Sequence, residues 1–267
     1  ERIVTERSRL AMPECRIGIV PDAGALRFLT KHCEPAVARY LALTGVPLNA
    51  HDLYKTGLAT RYVPDKEDLG LDQLYAELSS APAGELTTPL DRRGVEAPRR
   101  LESGLFNEAT LQAVRDAFEK GTTVDAVRAD LETAREAAKK LQGSCGWATR
   151  EAADGVLDVL DAAADGLQKG CPTALAVTLD AIDRLAARRG DADPAAARYG
   201  RRVELAANAR LGGAPDFAEG VACVVGARRG ERPKWSNDAS LVGAIARAVD
   251  GIREETSLGD VVAGARG

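Results

Sequence analysis

The chain has 267 residues, with 36 Lys+Arg against 40 Asp+Glu and a formal net charge of -4. With 45% hydrophobic residues it is too apolar and too evenly charged for a disordered chain, and long enough for a sizeable core. No run approaches the ~18 apolar residues of a membrane span, and the acidic balance argues against a protein whose main task is to grip nucleic acid.

Residues 2–12 carry Ile3, Val4, Leu10 and Met12 in loose alternation and predict one or two short strands. Ile17, Ile19 and Val20 make an apolar run around Gly18, bounded by Pro13 and Pro21. Asp22 is placed as the N-cap of a helix over 23–31, because its side chain can accept a hydrogen bond from the first turn. Pro35 opens a second helix over 35–43, with Gly45 as its stop. A helical turn over 51–57, a strand over 58–63 and a helix over 69–78 follow. The stretch 80–104 holds Pro82, Pro89 and Pro98 among Gly84, Gly94 and Gly104, has no sustained period, and reads as a long connection.

From 107 onwards the pattern is helical. A helix starting at Thr122 or Thr123 presents Val124, Val127, Leu131, Ala134, Ala138 and Leu141 on one face. The next presents Ala153, Val156, Leu157, Leu160, Ala164 and Leu167. Pro172 opens a third, with Leu175, Leu179, Ile182 and Leu185 along one side. Asp193-Pro194 caps and starts a fourth, reaching about Leu211. Residues 217–225 form a shorter apolar helix, and surface helix and tail follow Trp235. This gives three parts: 1–79, the connection 80–104, and a helical region 105–267.

The five cysteines (Cys15, Cys33, Cys145, Cys171, Cys223) are scattered and never spaced as C-x-x-C, and only His32 and His51 are available beside them. They read as small buried apolar residues, with no support for a metal site. The arginine pairs Arg92-Arg93, Arg99-Arg100, Arg201-Arg202 and Arg228-Arg229 could touch RNA or acidic lipid, but the net charge favours solvated faces balanced by acids.

Chemistry concentrates in Ala11-Met12-Pro13-Glu14-Cys15-Arg16-Ile17-Gly18-Ile19-Val20-Pro21-Asp22-Ala23-Gly24. Two carboxylates, Glu14 and Asp22, stand at the ends of a Pro-bounded, Gly-containing apolar loop that can fold back to bring both to one pocket. A carboxylate in apolar surroundings has a raised pKa suited to proton transfer, whereas one at a helix N-terminus stays ionised. By residue type alone the pair also fits a surface carboxylate and a simple helix cap.

The wording of this segment resembles the crotonase (enoyl-CoA hydratase/isomerase) superfamily, and within it the 3-hydroxyisobutyryl-CoA hydrolases, which carry A-M-P-E-x-x-I-G-x-x-P-D-x-G-G. Phe28-Leu29 and Leu41-Ala42-Leu43-Thr44-Gly45 stand in the expected places. Asp52-Leu53-Tyr54 with Gly57-Leu58-Ala59-Thr60-Arg61-Tyr62-Val63 looks like the family's D-x-Y-x-x-G-x-A-T-H-x-V. Cys171-Pro172-Thr173-Ala174-Leu175 looks like its S-P-T-S-L, Asp216-Phe217-Ala218-Glu219-Gly220-Val221 like its D-F-x-E-G-V, and Pro233-Lys234-Trp235 like its P-K-W.

The resemblance implies the C-terminal portion of an α/β crotonase-like (ClpP/crotonase) fold, predominantly helical here with a few short strands. It implies hydrolysis of an acyl-CoA thioester in valine breakdown. Glu14 would be the main catalytic carboxylate, Asp22 its assistant, and Pro13, Ile17, Gly18 and Gly24 would line the substrate. Coenzyme A would enter only as part of the substrate, with no other cofactor and no metal. The implied location is the mitochondrial matrix.

Three departures qualify this. The family's N-terminal block, which supplies the oxyanion donors, has no counterpart, so a complementing segment or partner chain is expected. The glycines after the Asp become Gly24-Ala25-Leu26-Arg27, and the Arg after E-G-V is Ala222. A non-catalytic structural subunit of a large mitochondrial assembly, held mainly by protein contacts, is the alternative.

Overall fold

A computed structural model describes residues 1–64, 71–85, 87–93, 104–144, 147–191, 193–253 and 256–266. In chain order the elements begin with β1 (Ile3–Val4), β2 (Arg9–Leu10), a 3-10 turn (Glu14–Ile17), α1 (Ala25–His32), α2 (Pro35–Thr44), β3 (Leu48–Asn49), α3 (Ala50–Lys55) and β4 (Arg61–Tyr62). Next come α4 (Leu71–Ser80), a second 3-10 turn (Ala83–Glu85), α5 (Thr87–Arg93), α6 (Glu108–Phe118), α7 (Val124–Ser144) and α8 (Trp147–Lys169). The chain closes with α9 (Pro172–Ala187), α10 (Asp193–Leu211), α11 (Pro215–Val224), α12 (Ala239–Asp250) and α13 (Leu258–Arg266). The described chain is thus predominantly helical with four two-residue strands, as expected for this portion of a crotonase-like fold.

Two compact units result. One comprises Glu1–Leu10 with Pro47–Glu108, the other Ala11–Val46 with Ala109–Gly267. These units interleave along the chain, so they do not coincide with a serial division into 1–79, 80–104 and 105–267. Within 80–104, where no period is legible, the described residues include the Ala83–Glu85 turn and α5. The rest of that stretch, with Gly94, Pro98 and Arg99-Arg100, lies outside the described residues, as does Cys145.

In the first unit β1 pairs in parallel with β4, placing Ile3 opposite Arg61 and Val4 opposite Tyr62. Antiparallel β2 and β3 place Leu10 opposite Leu48. Asn49 and Asp52 form a reciprocal capping box that starts α3. Asp52 is 1% exposed, and its Oδ1 also accepts the backbone N–H of Phe106 at 2.9 Å. Val63, Leu74 and Leu90 make a small core against which Leu78 packs.

The second unit is built on α9, which is buried nearly all round: Leu175, Leu179, Ile182 and Leu185, but also Ala174, Val177, Thr178 and Ala181. A helix apolar on every side is a central one. It is flanked by α1, α2, α10 and α12, while α7 and α8 pack along each other and α8 against α2. Most of the expected α7 face is buried or half-buried, but Leu141 is 52% exposed near the helix end. No described helix is long and apolar enough to cross a membrane.

Candidate active site

The site begins with a tight turn. Pro13 precedes the 3-10 turn Glu14–Ile17, whose Arg16 N–H donates to the Pro13 carbonyl at 2.9 Å. Gly18 ends it with φ +84°, a conformation that side-chain-bearing residues rarely adopt. A Cβ there would also lie 3.0 Å from the Asp216 carbonyl of α11. From the other side, a Cβ on Gly220 would lie 2.6 Å from Ile17 Cα. Glycine on both surfaces therefore lets α11 close onto the Glu14 turn.

The sequence blocks that stand far apart converge here. The Cys171 N–H donates to the Cys15 carbonyl at 2.8 Å, tying the start of α9 to the turn. The Cys15 Sγ lies 3.3 Å from Thr178 Oγ1 and 3.5 Å from the Ala42 carbonyl. Asp216, 5% exposed, accepts from the Cys171 thiol (3.4 Å) and from the Ser236 N–H (2.7 Å). Glu219 pairs with Arg228 and accepts the Lys234 N–H at 2.8 Å, and these partners hold its carboxyl down at about 2. So C-P-T-A-L, D-F-A-E-G-V and P-K-W form one scaffold behind Glu14. Burial pushes the Cys15 and Cys171 thiols up to about 12 and about 11, which removes both as nucleophiles at neutral pH. Cys15, Cys33, Cys171 and Cys223 are all buried and carry thiols rather than disulfides.

Glu14 itself is half-buried, and its Oε2 is shut off from solvent with no hydrogen-bond partner among the described residues. Burial raises its pKa above the ordinary carboxylate value, and the nearby Asp22 charge raises it further. The Asp22 charge is thus felt at Glu14.

Asp22 is exposed and does not cap α1 with its side chain. The helix starts two residues later than the sequence predicts, because Ala23 (φ 57°) and Gly24 (φ 89°) are both left-handed and Gly24 takes the cap position. A left-handed alanine costs about 1 kcal/mol, and α10 supplies what holds it. Glu204, 2% exposed, accepts the Gly24 N–H at 2.7 Å and the Leu26 N–H at 3.0 Å. One turn along α10, the Asn208 amide accepts the Val20 N–H and donates to the Val20 carbonyl, both at 3.0 Å. Glu204 and Asn208 thus grip both ends of the loop that carries Asp22. Burial, with Asp22 adding to it, pushes the Glu204 carboxyl up to about 7 against the backbone donors that lower it. Neither residue is found from sequence, since each partner lies about 180 residues away.

Pro13 stands exposed at the entry of the turn and Gly24 at the start of α1, whereas Ile17 and Gly18 are pressed against α11. Among the described residues no group of His, Cys, Asp and Glu could hold a metal ion.

A family model for enoyl-CoA hydratase/isomerase matches residues 1–244. The chain belongs to that family. Among curated members of the family, it is 27% identical over 235 residues to 3-hydroxyisobutyryl-CoA hydrolase 1 of Arabidopsis thaliana, covering 88% of this chain and 55% of the relative. It is 27% identical over 249 residues to the mitochondrial 3-hydroxyisobutyryl-CoA hydrolase of Danio rerio, covering 93% of this chain and 57% of that protein. Among solved structures, a carnitinyl-CoA dehydratase from Mycobacterium thermoresistibile matches with a TM-score of 0.58 at 24% identity, over 98% of this chain and 60% of that one. An enoyl-CoA hydratase from Rhodobacter sphaeroides 2.4.1 matches with a TM-score of 0.53 at 24% identity, over 98% and 61%. The fold is crotonase-like, and the chain spans little more than half the length of these relatives.

Proposed function

We propose that this chain carries the catalytic carboxylates of an acyl-CoA thioester hydrolase of the 3-hydroxyisobutyryl-CoA type. The observation that carries the reading is Glu14: a half-buried carboxylate with a raised pKa and a partnerless buried oxygen, beside the Asp22 carboxylate. A carboxylate so placed accepts a proton better than a solvated one. In the proposed reaction Glu14 takes a proton from water as the oxygen adds to the thioester carbonyl. The C–S bond then breaks, and the proton returns to the leaving sulfur. Asp22, exposed at the loop tip, receives the substrate's hydroxyl. Pro13 and Gly24 flank the acyl group, while Ile17 and Gly18 fix the turn beneath it.

Backbone N–H donors for the developing oxyanion come, in this reading, from a complementing N-terminal segment or chain, and their contribution is large. No metal and no cofactor beyond the substrate's own coenzyme A is required. Curated relatives named as mitochondrial support a mitochondrial location.

The test offers the chain, alone and together with the N-terminal half of a full-length relative, both 3-hydroxyisobutyryl-CoA and crotonyl-CoA. The expected result is release of free thiol from the hydroxyacyl thioester without hydration of the enoyl thioester. Hydration without thiol release would overturn the hydrolase reading, and neither activity in the complemented chain would favour a non-catalytic subunit.

A further inference from the structure

A surface cavity lies on another face of α10 from the one that holds the Asp22 loop. Arg188, Ala195, Arg198, Tyr199, Arg202, Ile252 and Arg253 enclose its volume of about 270 Å³. Positions 198 and 202 are one turn apart and share a face, whereas 204 and 208, which grip the loop, share a different one. Four arginines line this cavity, and among the described residues no carboxylate does.

Many arginines of the unit are held in ion pairs: Arg39, Arg115, Arg135, Arg184 and Arg228 each pair with a carboxylate. Arg198 and Arg202 have no ion pair among the described residues. Among the described residues Arg188 has only a long one, 3.6 Å to Asp191, and it lies over the Tyr199 ring with its Cζ 4.1 Å from the centroid. Arg253 donates to the Asp250 carbonyl. Like charges one helical turn apart repel, and an anion bound between them would relieve that repulsion. Planar guanidinium forks match phosphate oxygens two at a time, and Tyr199 with Arg188 fixes one fork in place. The volume fits a phosphate-bearing fragment rather than a whole drug-sized ligand.

The geometry points to an anion site for a diphosphate-bearing small molecule, formed by Arg188, Arg198, Arg202 and Arg253 and separate from the Glu14 turn. The site stands independently of the thioester reading. Inorganic pyrophosphate is the probe, titrated into the full chain by calorimetry at low and at physiological salt. Saturable binding of one pyrophosphate per chain is expected, weakened by salt. Arg198→Gln and Arg202→Gln should each weaken it about tenfold or more. Arg201→Gln removes the same charge from the same helix without lining the cavity and should leave binding within about twofold. Coenzyme A as competitor distinguishes the sources. Displacement of pyrophosphate that is lost in R202Q assigns the site to the diphosphate of the thioester's own carrier. Independent binding of the two assigns it to a separate phosphorylated effector. Absence of saturable binding, or equal weakening by R201Q and R202Q in chains with unchanged melting, would overturn the proposal.

Discussion

Replacing Glu204 by Gln tests whether a buried carboxylate really holds the Asp22 loop. In the folded chain this carboxyl is 2% exposed and titrates at about 7, against 4.5 for an ordinary Glu, because burial outweighs the help of the Gly24 and Leu26 N–H donors. Between those two values the folded chain keeps a proton that the unfolded chain has released. Stability from this group is therefore greatest below about pH 4.5, falls as pH rises toward about 7, and levels off above it. At about 1.4 kcal/mol per pH unit, the interval corresponds to a fall of about 3 kcal/mol. Gln cannot titrate. Its amide can accept one of the two N–H groups but presents a donor to the other, so the variant also loses one cap bond at low pH. Urea unfolding of both proteins between pH 4.5 and 8 separates the effects, since every other titrating group is common to the pair. The expected result is that the stability advantage of the native chain over E204Q shrinks by about 3 kcal/mol across that range. A constant difference across the range would refute the burial and the clamp together.

Asp22→Asn removes the like charge beside Glu14 and should lower the Glu14 pKa toward the ordinary carboxylate value, read as a shift of its side-chain carbon signal in an NMR titration; no shift would separate the two carboxylates. Asn208→Ala removes both hydrogen bonds to Val20 and should cost about 1–3 kcal/mol in urea unfolding. Gly220→Ala places a methyl 2.6 Å from Ile17 Cα and should cost about 1–3 kcal/mol by forcing α11 off the turn, with a lower thioesterase rate than the loss of stability alone explains.

The segment around Glu14 stands out in the sequence because its neighbours are a string of unusual residue types in fixed order. The long helices are legible because their apolar periods run for many turns, as the buried Leu175, Leu179, Ile182 and Leu185 show. β3 is not legible because two residues carry no readable period, nor is α5, because Pro89 and the surrounding glycines mask a short helix. Asp22 was legible as a carboxylate but not in its role. Two left-handed residues delay the helix start, and the cap arrives from α10. Glu204 and Asn208 look like ordinary polar positions on a helix, and only the tertiary fold shows what they hold. The convergence of Cys171, Asp216 and Glu219 behind the turn is likewise a product of packing, although each belongs to a block that stands out by its wording.

In the proposed function the scaffold behind the turn presents one carboxylate, Glu14. Comparing thiol release from 3-hydroxyisobutyryl-CoA by the complemented chain and by its Glu14→Gln variant tests it most directly. The account predicts a kcat lower by about 10²–10⁴-fold with unchanged melting and a KM within a few-fold. An E14Q rate equal to that of the native protein would contradict it.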